Sequence, residues 1–463
     1  MTIRVDKKYE EDEQKMARTK LTPISGFPEL LPEEQILFVK MLDIIRKGYE
    51  LYGFSPIETP AVERKEVLTS KGGNEKEIYA LSRLAAEEGE DPNTEFALHF
   101  DLTVPLARYV AMHTNQLTFP FRRYQIQKVW RGERPQSGRS REFYQCDIDV
   151  IGRGSLSLLN DAEIPSIIYR IFREMKIGPF VIKINNRKIL QGYFQSLGIQ
   201  TTQMDEVMRI IDKREKIGTD AIVSELTNNT DFDKTTAQQV VDFLGEELKT
   251  DDMLTQLNSM IQINDQFSQG VKELATVVEG ILDFGVPEDS FKIDLSIARG
   301  LDYYTGTVYE TVLVDHPQVG SICSGGRFDD LASHFTDEKL PGVGISIGFT
   351  RLMSRLMKAG ILKVGAATVA PVLVTSMDES RASDYLRMGN ELRNAGILTE
   401  VYLEQARLGN QLKYANKKGF KIAIIAGENE FSEKSVQIKN LVEGESVTCK
   451  ITEMVEEVKQ SLS

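Results

Sequence analysis

Four arginines fall in separate stretches of the chain, at Arg131, Arg139, Arg299 and Arg351. Brought together without matching acids, they would suit a polyphosphate. Separated guanidinium groups also suit charge that develops during phosphoryl or nucleotidyl transfer. A second set is acidic and polar. Asp101, Gln145 and Asp149, with Tyr303 and Tyr304, suit a small cationic or hydrogen-bonding substrate. A third feature is flat. In PGVGISIGFTRL, residues 341–352, period-2 alternation puts Gly342, Gly344, Ser346 and Gly348 on one strand face. Such a floor lets a planar ring approach closely, and Phe143 could cover the ring from the other side. Arg351 stands in the first turn of the helix that follows, where a cation works against the helix dipole, so it answers an anionic ligand. No glycine-rich P-loop signature is present, and with four His in the chain no Ser/His/Asp set is evident. Bland alternatives stand beside these readings: a solvated edge hairpin, a tightly packed glycine strand, and Asp101 and Thr103 as helix caps.

The element that must position most of this chemistry runs from Phe121 to Gly152. It reads as a β-hairpin with a long loop. Gln125, Gln127, Val129 and Arg131 alternate onto one face of its first strand. In its second strand Tyr144, Cys146, Ile148 and Val150 form an apolar face, and Phe143, Gln145, Asp147 and Asp149 face the other way. Seven basic side chains lie between Phe121 and Arg141 (Arg122, Arg123, Lys128, Arg131, Arg134, Arg139 and Arg141), opposed by Glu133 alone. Ahead of the hairpin, Phe38, Leu42, Ile45, Tyr49 and Tyr52 make one helical stripe, started by Pro32 and stopped at Gly53. The extended FSPIETPAVE follows. Its prolines confine it to a sheet edge or an interface, and beside the long helix a dimer surface and ordinary core packing fit equally. LHFDLTVPLARYVA reads as strand, turn and a helix begun by Pro105. Another helix covers Ile164 to Met175, followed by the strand FVIKINN.

The chain has 463 residues, too long for one core, so two to four domains are expected. Hydrophobic content of 41% and charged content of 27% describe a globular protein. The net charge of −13 argues against a general polyanion binder, so any nucleic-acid contact must use local basic patches. Cys146, Cys323 and Cys449 are far apart and fit neither a disulfide framework nor a zinc set. No signal peptide or membrane-length apolar run is legible, and a cytoplasmic protein is expected. The expected divisions are a charged tail over 1–20, a first catalytic part over 21–186, a helical insertion over 187–286, a second catalytic part over 287–360, a linker over 361–369 and a small α/β domain over 370–463. The sheet of that last domain should be mainly parallel.

Several stretches resemble those of histidyl-tRNA synthetases, which are class II aminoacyl-tRNA synthetases. VWRGERPQSGRSREFYQCDIDVIG resembles motif 2, IETPAVE the dimer-forming motif 1, and GVGISIGFTRL motif 3. RGLDYYTGTVYE and SGGRFDDL resemble the two stretches peculiar to the histidine enzyme. The resemblance runs from Gly26 to the C-terminus. It implies an α+β catalytic domain with an antiparallel sheet and flanking helices, a helical insertion and a C-terminal α/β anticodon-binding domain. It also implies roles. Arg131 would hold the ATP α-phosphate, Glu133 the adenine amino group and Phe143 the adenine face. Arg139 and Arg351 would take the outer phosphates, and Arg299 would steady the α-phosphate during attack. Asp101, Thr103 and Gln145 would bind the α-ammonium of histidine. Asp149 and Tyr304, with Tyr303, would read the imidazole nitrogens. Arg134 and Gln136 would touch the acceptor end of tRNA(His). The implied partners are ATP with Mg2+, L-histidine, tRNA(His) and a second copy of the chain, with no tightly bound metal or organic cofactor and no membrane. His99 departs from the Arg that many relatives carry there. Two alternatives share the fold: a non-catalytic regulatory subunit of ATP phosphoribosyltransferase, and a synthetase-like domain that only binds tRNA.

Overall fold

The computed structural model describes residues 21–70, 75–82, 95–133, 140–211, 217–230, 232–245, 248–297, 304–329 and 332–462. The helix Pro32–Leu51 begins as its sequence dictates. Proline occupies its first position, and the Glu34 carboxylate accepts the Leu31 amide at 3.0 Å. Phe38, Met41, Ile45 and Tyr49 are its buried stripe. At Gly48 a Cβ would come within 2.4 Å of Ile171, which is how closely this helix lies on the helix Leu159–Met175. The chain leaves it at Gly53, whose φ of +75° suits glycine.

The strands come in the order β1 (Ser55–Pro56), β2 (Val62–Arg64), β3 (Phe96–Leu98), β4 (Phe121–Trp130), β5 (Glu142–Ile151), β6 (Phe180–Asn186), β7 (Phe291–Ile293), β8 (Thr307–Leu313), β9 (Cys323–Phe328) and β10 (Gly342–Gly348). Eight of them form one sheet ordered β1-β4-β5-β10-β9-β8-β6-β7, and β2 pairs with β3. The sheet is antiparallel from β4 through to β6. At its two edges the expectation of an antiparallel sheet needs correcting, because β1 runs parallel to β4 and β7 parallel to β6. Long crossovers join these pairs, and a crossover permits the parallel direction. The proline-bearing β1 does take the sheet edge, as its sequence requires.

Cys146, Ile148 and Val150 of β5 are buried on the face covered by the helices Pro32–Leu51 and Leu159–Met175. The described residues between β6 and β7 are helical up to Asp283. Their apolar faces, among them Phe194, Phe267, Leu274 and Ile281, join the same core as the sheet. The helix Asp265–Asp283 presses Gly280 onto Ala162 of the helix Leu159–Met175.

The C-terminal part has its own core around Val372, Tyr385, Leu392, Ile424 and Val436. Its sheet is ordered β12 (Thr399–Val401), β11 (Val372–Val374), β13 (Ile422–Ile425), β14 (Ser435–Asn440) and β15 (Ser446–Lys450). β12, β11 and β13 are parallel, whereas β13, β14 and β15 are antiparallel. The expected mainly parallel sheet is therefore a mixed one. Most of β15 is exposed, so it carries no apolar alternation from which a strand could be read.

Candidate active site

The open face of the central sheet is set by register. Across β4, β5 and β10, Arg123, Asp149 and Gly344 form one row. Gln125, Asp147 and Ser346 form the next, and Gln127, Gln145 and Gly348 a third. Directly opposed residues share a face, so these nine side-chain positions make one polar floor. Above it lies a cavity of about 330 Å³. Asp101, Thr103, Gln145, Asp149 and Tyr304 line it, as do Arg131, Glu133, Phe143 and Arg351. All the described candidates are thus brought together. Arg134, Gln136, Arg139, Arg299 and Tyr303 lie outside the described residues.

The cavity is divided by charge. At one end Asp101, Asp147 and Asp149 are buried. Asp101 Oδ1 accepts the Val104 amide at 3.1 Å in the first turn of the helix Thr103–Met112, whose N-cap position is Leu102. That helix starts two residues before the expected Pro105. Asp101 Oδ2 is buried with no hydrogen-bond partner in the protein. Beneath the acids lies Arg123, fully buried, with Nη2 2.5 Å from Asp149 Oδ2 and 3.3 Å from the Leu102 carbonyl. Burial pushes Asp149 up to about 6, with Arg123 opposing and Asp101 adding to the rise. Burial pushes Asp147 up to about 7, again against Arg123, with Asp149 adding to the rise. Asp101 is also raised by burial, against its backbone bond and Arg131.

These shifts oppose folding. The unfolded chain releases these protons near pH 3.8 and the folded chain only near 6 to 7, so stability falls as pH rises through that window. Asp147→Asn should therefore stabilise the protein at pH 8, with the gain shrinking to near zero at about pH 4. Denaturant unfolding at the two pH values checks it, and an equal gain at both would contradict it.

At the other end are cations and a ring. Arg131 donates from Nε to the Phe100 carbonyl at 2.9 Å, and its guanidinium sits 5.2 Å above the Phe143 ring. Arg351 and Arg355 extend from the helix Phe349–Lys358, and both guanidinium groups come close to Gly320. Phe143 and Asp149 are six residues apart on one strand face, about 20 Å along it, while Arg131 reaches both the Phe143 ring and the neighbourhood of Asp101. An elongated ligand fits this, cationic at one tip, anionic further along and aromatic at the end.

Two glycines shape the acid end of the cavity directly. A Cβ at Gly344 would fall 2.0 Å from Asp149 Oδ1. One at Gly326 would fall 2.6 Å from the Thr307 carbonyl oxygen and 3.0 Å from the Tyr304 ring, so that glycine lets both the neighbouring strand and the phenol lie close. His99, by contrast, does not line the cavity. It is buried, stacked on Trp130 at 5.5 Å, with Nε2 2.7 Å from the Lys128 carbonyl, and burial lowers its pKa.

Sequence reasoning missed Arg123 as a counter-ion, Arg355 as a cavity arginine and any use for Asp147. Continuing the alternation of Gln125 and Gln127 back by two residues would have placed Arg123 on the floor.

A catalytic sheet with this charge-divided cavity, followed by a separate α/β domain, is the architecture of an aminoacyl-tRNA synthetase with its anticodon-binding domain. The histidyl-tRNA synthetase family profile matches residues 26–352, and an anticodon-binding domain profile matches residues 369–461. A histidine--tRNA ligase of Clostridium tetani is 47% identical over 441 residues, covering 95% of this chain and 98% of that protein. The crystal structure of histidyl-tRNA synthetase from Nostoc sp. PCC 7120 superposes with a TM-score of 0.88 at 47% identity, covering 96% of this chain and all of that one. An apo enzyme from S. aureus shares the fold, with a TM-score of 0.65 at 19% identity. The chain belongs to the histidyl-tRNA synthetase family.

Proposed function

We propose that this protein activates L-histidine with ATP and then charges tRNA(His). A histidine carboxylate oxygen attacks the α-phosphorus of ATP, the bond to the β-phosphate oxygen breaks, and histidyl-adenylate and pyrophosphate result. The adenylate then passes histidine to the 3′ end of the tRNA, with AMP as the leaving group. ATP enters as its Mg2+ complex. The observation that carries this reading is the division of one cavity into a buried acid end and an arginine–phenylalanine end.

In this reading Asp101, Thr103 and Gln145 accept the α-ammonium. Asp149 and Tyr304, with Tyr303, read the two imidazole nitrogens. A neutral imidazole shows one donor and one acceptor, and a buried carboxylate beside a phenol is left unpaired by any side chain that lacks them. Phe143 stacks on adenine and Glu133 meets its amino group. Arg131 and Arg299 take the α-phosphate, and Arg139 and Arg351 the outer phosphates. Arg134 and Gln136 contact the acceptor end. The domain limits 21–186 and 287–360 for the catalytic parts, 187–286 for the insertion and 370–463 for the anticodon-binding part belong to the same proposal, as do a homodimer and a cytoplasmic setting. Among the described residues no helix is long and apolar enough to cross a membrane.

Purified protein should catalyse histidine-dependent ATP–pyrophosphate exchange and charge tRNA(His). Absence of exchange with a folded protein would favour a non-catalytic relative instead. Asp149→Asn should raise the KM for histidine about tenfold, the value of one charge-assisted hydrogen bond, with little change in the KM for ATP. Equal losses for both substrates would count against the assignment.

A further inference from the structure

We propose that Arg141 is a positioning residue for nucleotide selection: its guanidinium fixes the main chain of Glu133, and so sets where the Glu133 carboxylate meets the adenine amino group. The proposal rests on the reading that Glu133 faces that group. The ladder of the hairpin ends at the pair Trp130 and Glu142. Beyond it the two arms separate, and the next residues of the first arm are held one by one. The Arg131 amide donates to the Arg141 carbonyl at 2.8 Å, and the Gly132 amide to the Glu77 carbonyl at 2.7 Å. At Glu133 the bond comes from a side chain, as Arg141 Nε donates to the Glu133 carbonyl at 3.0 Å. Glu133 lines the cavity beside Arg131 and Phe143.

Arg141 is itself held from behind. The Gly26 carbonyl accepts the Arg141 amide at 2.7 Å and the Glu142 amide at 3.2 Å. Gly26 has a φ of +88°, and a Cβ there would fall 2.9 Å from Arg141 Cγ and 3.1 Å from its Cβ and Cδ. The turn at Gly26 therefore lies flat along the aliphatic stem of Arg141. Nε follows directly on that stem and belongs to a rigid planar group, so its bond to Glu133 inherits the placement of the stem. A hydrogen bond to a carboxylate is short and directional. Loosening the main chain at Glu133 would weaken that bond and leave the stacking of the ring on Phe143 in place. The rival use of Arg141 is as one more cation for the triphosphate. That use needs the charge alone and no donor at Nε.

The test compares ATP with purine riboside triphosphate, which lacks the amino group, by kcat/KM in histidine-dependent pyrophosphate exchange. The unmutated protein should prefer ATP by about tenfold or more, the value of one hydrogen bond to a charged group. Arg141→Met keeps an aliphatic stem and loses the donor. It should lower that preference about fivefold by slowing ATP, with the analogue within about twofold of its normal kcat/KM. Arg141→Lys keeps the charge but puts a methylene where Nε stands, so it should lose the same preference. Adding Arg141→Met to Glu133→Ala should lower the preference no further, because the two act through one contact. An unchanged preference in Arg141→Met, equal losses for ATP and the analogue, native behaviour of Arg141→Lys or additive losses in the double variant would overturn the proposal. If Arg141→Met does not fold, Arg141→Lys decides alone on the same comparison. Failure of the reading beneath shows separately. Exchange by the unmutated protein with no preference for ATP would mean that Glu133 does not meet the amino group, and the role of Arg141 falls with it. No histidine-dependent exchange at all would overturn the functional reading and the proposal together.

Discussion

Gly344→Ala is expected to reduce histidine-dependent pyrophosphate exchange by about a hundredfold while the protein still folds. The added methyl would lie 2.0 Å from Asp149 Oδ1 and 2.6 Å from the Ile148 carbonyl oxygen. Both distances are too short, so the ladder between β5 and β10 must part locally at the Ile148 carbonyl, and the carboxylate must give way as well. It can do so only by moving an ångström or more, and a displacement of that size is worth about two orders of magnitude in rate when it misaligns a bound substrate. Moving it also disturbs the fully buried Arg123, whose counter-ion is 2.5 Å away. The loss should fall on histidine rather than on ATP, because the methyl points at the acid end of the cavity. Exchange kinetics with each substrate varied, together with a melting curve, decide the matter. A folded Gly344→Ala protein within about threefold of normal would mean that Asp149 is not held where its geometry implies.

The acid end was legible because strand period is a rigid rule. Once Cys146, Ile148 and Val150 are read as the buried face of β5, Gln145, Asp147 and Asp149 must share the other. The glycines of β10 were legible for the same reason, and their partner Asp149 follows from register. What sequence could not give was the environment beneath. Arg123 sits in a run of basic residues and looks like surface charge, yet it is fully buried as the counter-ion of Asp149. Burial of an arginine is decided by what lies opposite it across the sheet, and that is a property of pairings distant in sequence. Asp147 shared the legible face, but its burial in the cavity wall near Arg123 depends on the neighbouring strands. The direction of the two edge strands was hidden for a related reason. They are two and three residues long, and nothing in so short a segment records which way it pairs.

Arg327 shows the opposite error a sequence invites. It stands in SGGRFDDL, a stretch that resembles a family-specific signature, and a ligand contact would be the natural guess. Its guanidinium instead turns into the core. Nε donates to Asp161 Oδ1 at 3.0 Å and Nη2 to Oδ2 at 2.5 Å, a bidentate pair with Asp161 wholly buried. Nη2 also reaches the Leu156 and Ser157 carbonyls, both at 3.3 Å. The pair ties β9 to the start of the helix Leu159–Met175, and the Tyr309 hydroxyl donates to the Asp161 carbonyl from β8. Asp161→Ala strands a buried guanidinium and should cost about 3–5 kcal/mol. The double variant Asp161→Leu/Arg327→Met removes both charges and both desolvation costs, so it should recover most of that loss. Urea unfolding followed by fluorescence measures this in the right place, because the single tryptophan, Trp130, lies in β4 of the same sheet. A cost below about 1 kcal/mol for the single change would mean the pair is no latch. A double variant as unstable as the single would mean that shape, not charge, holds β9 to the helix.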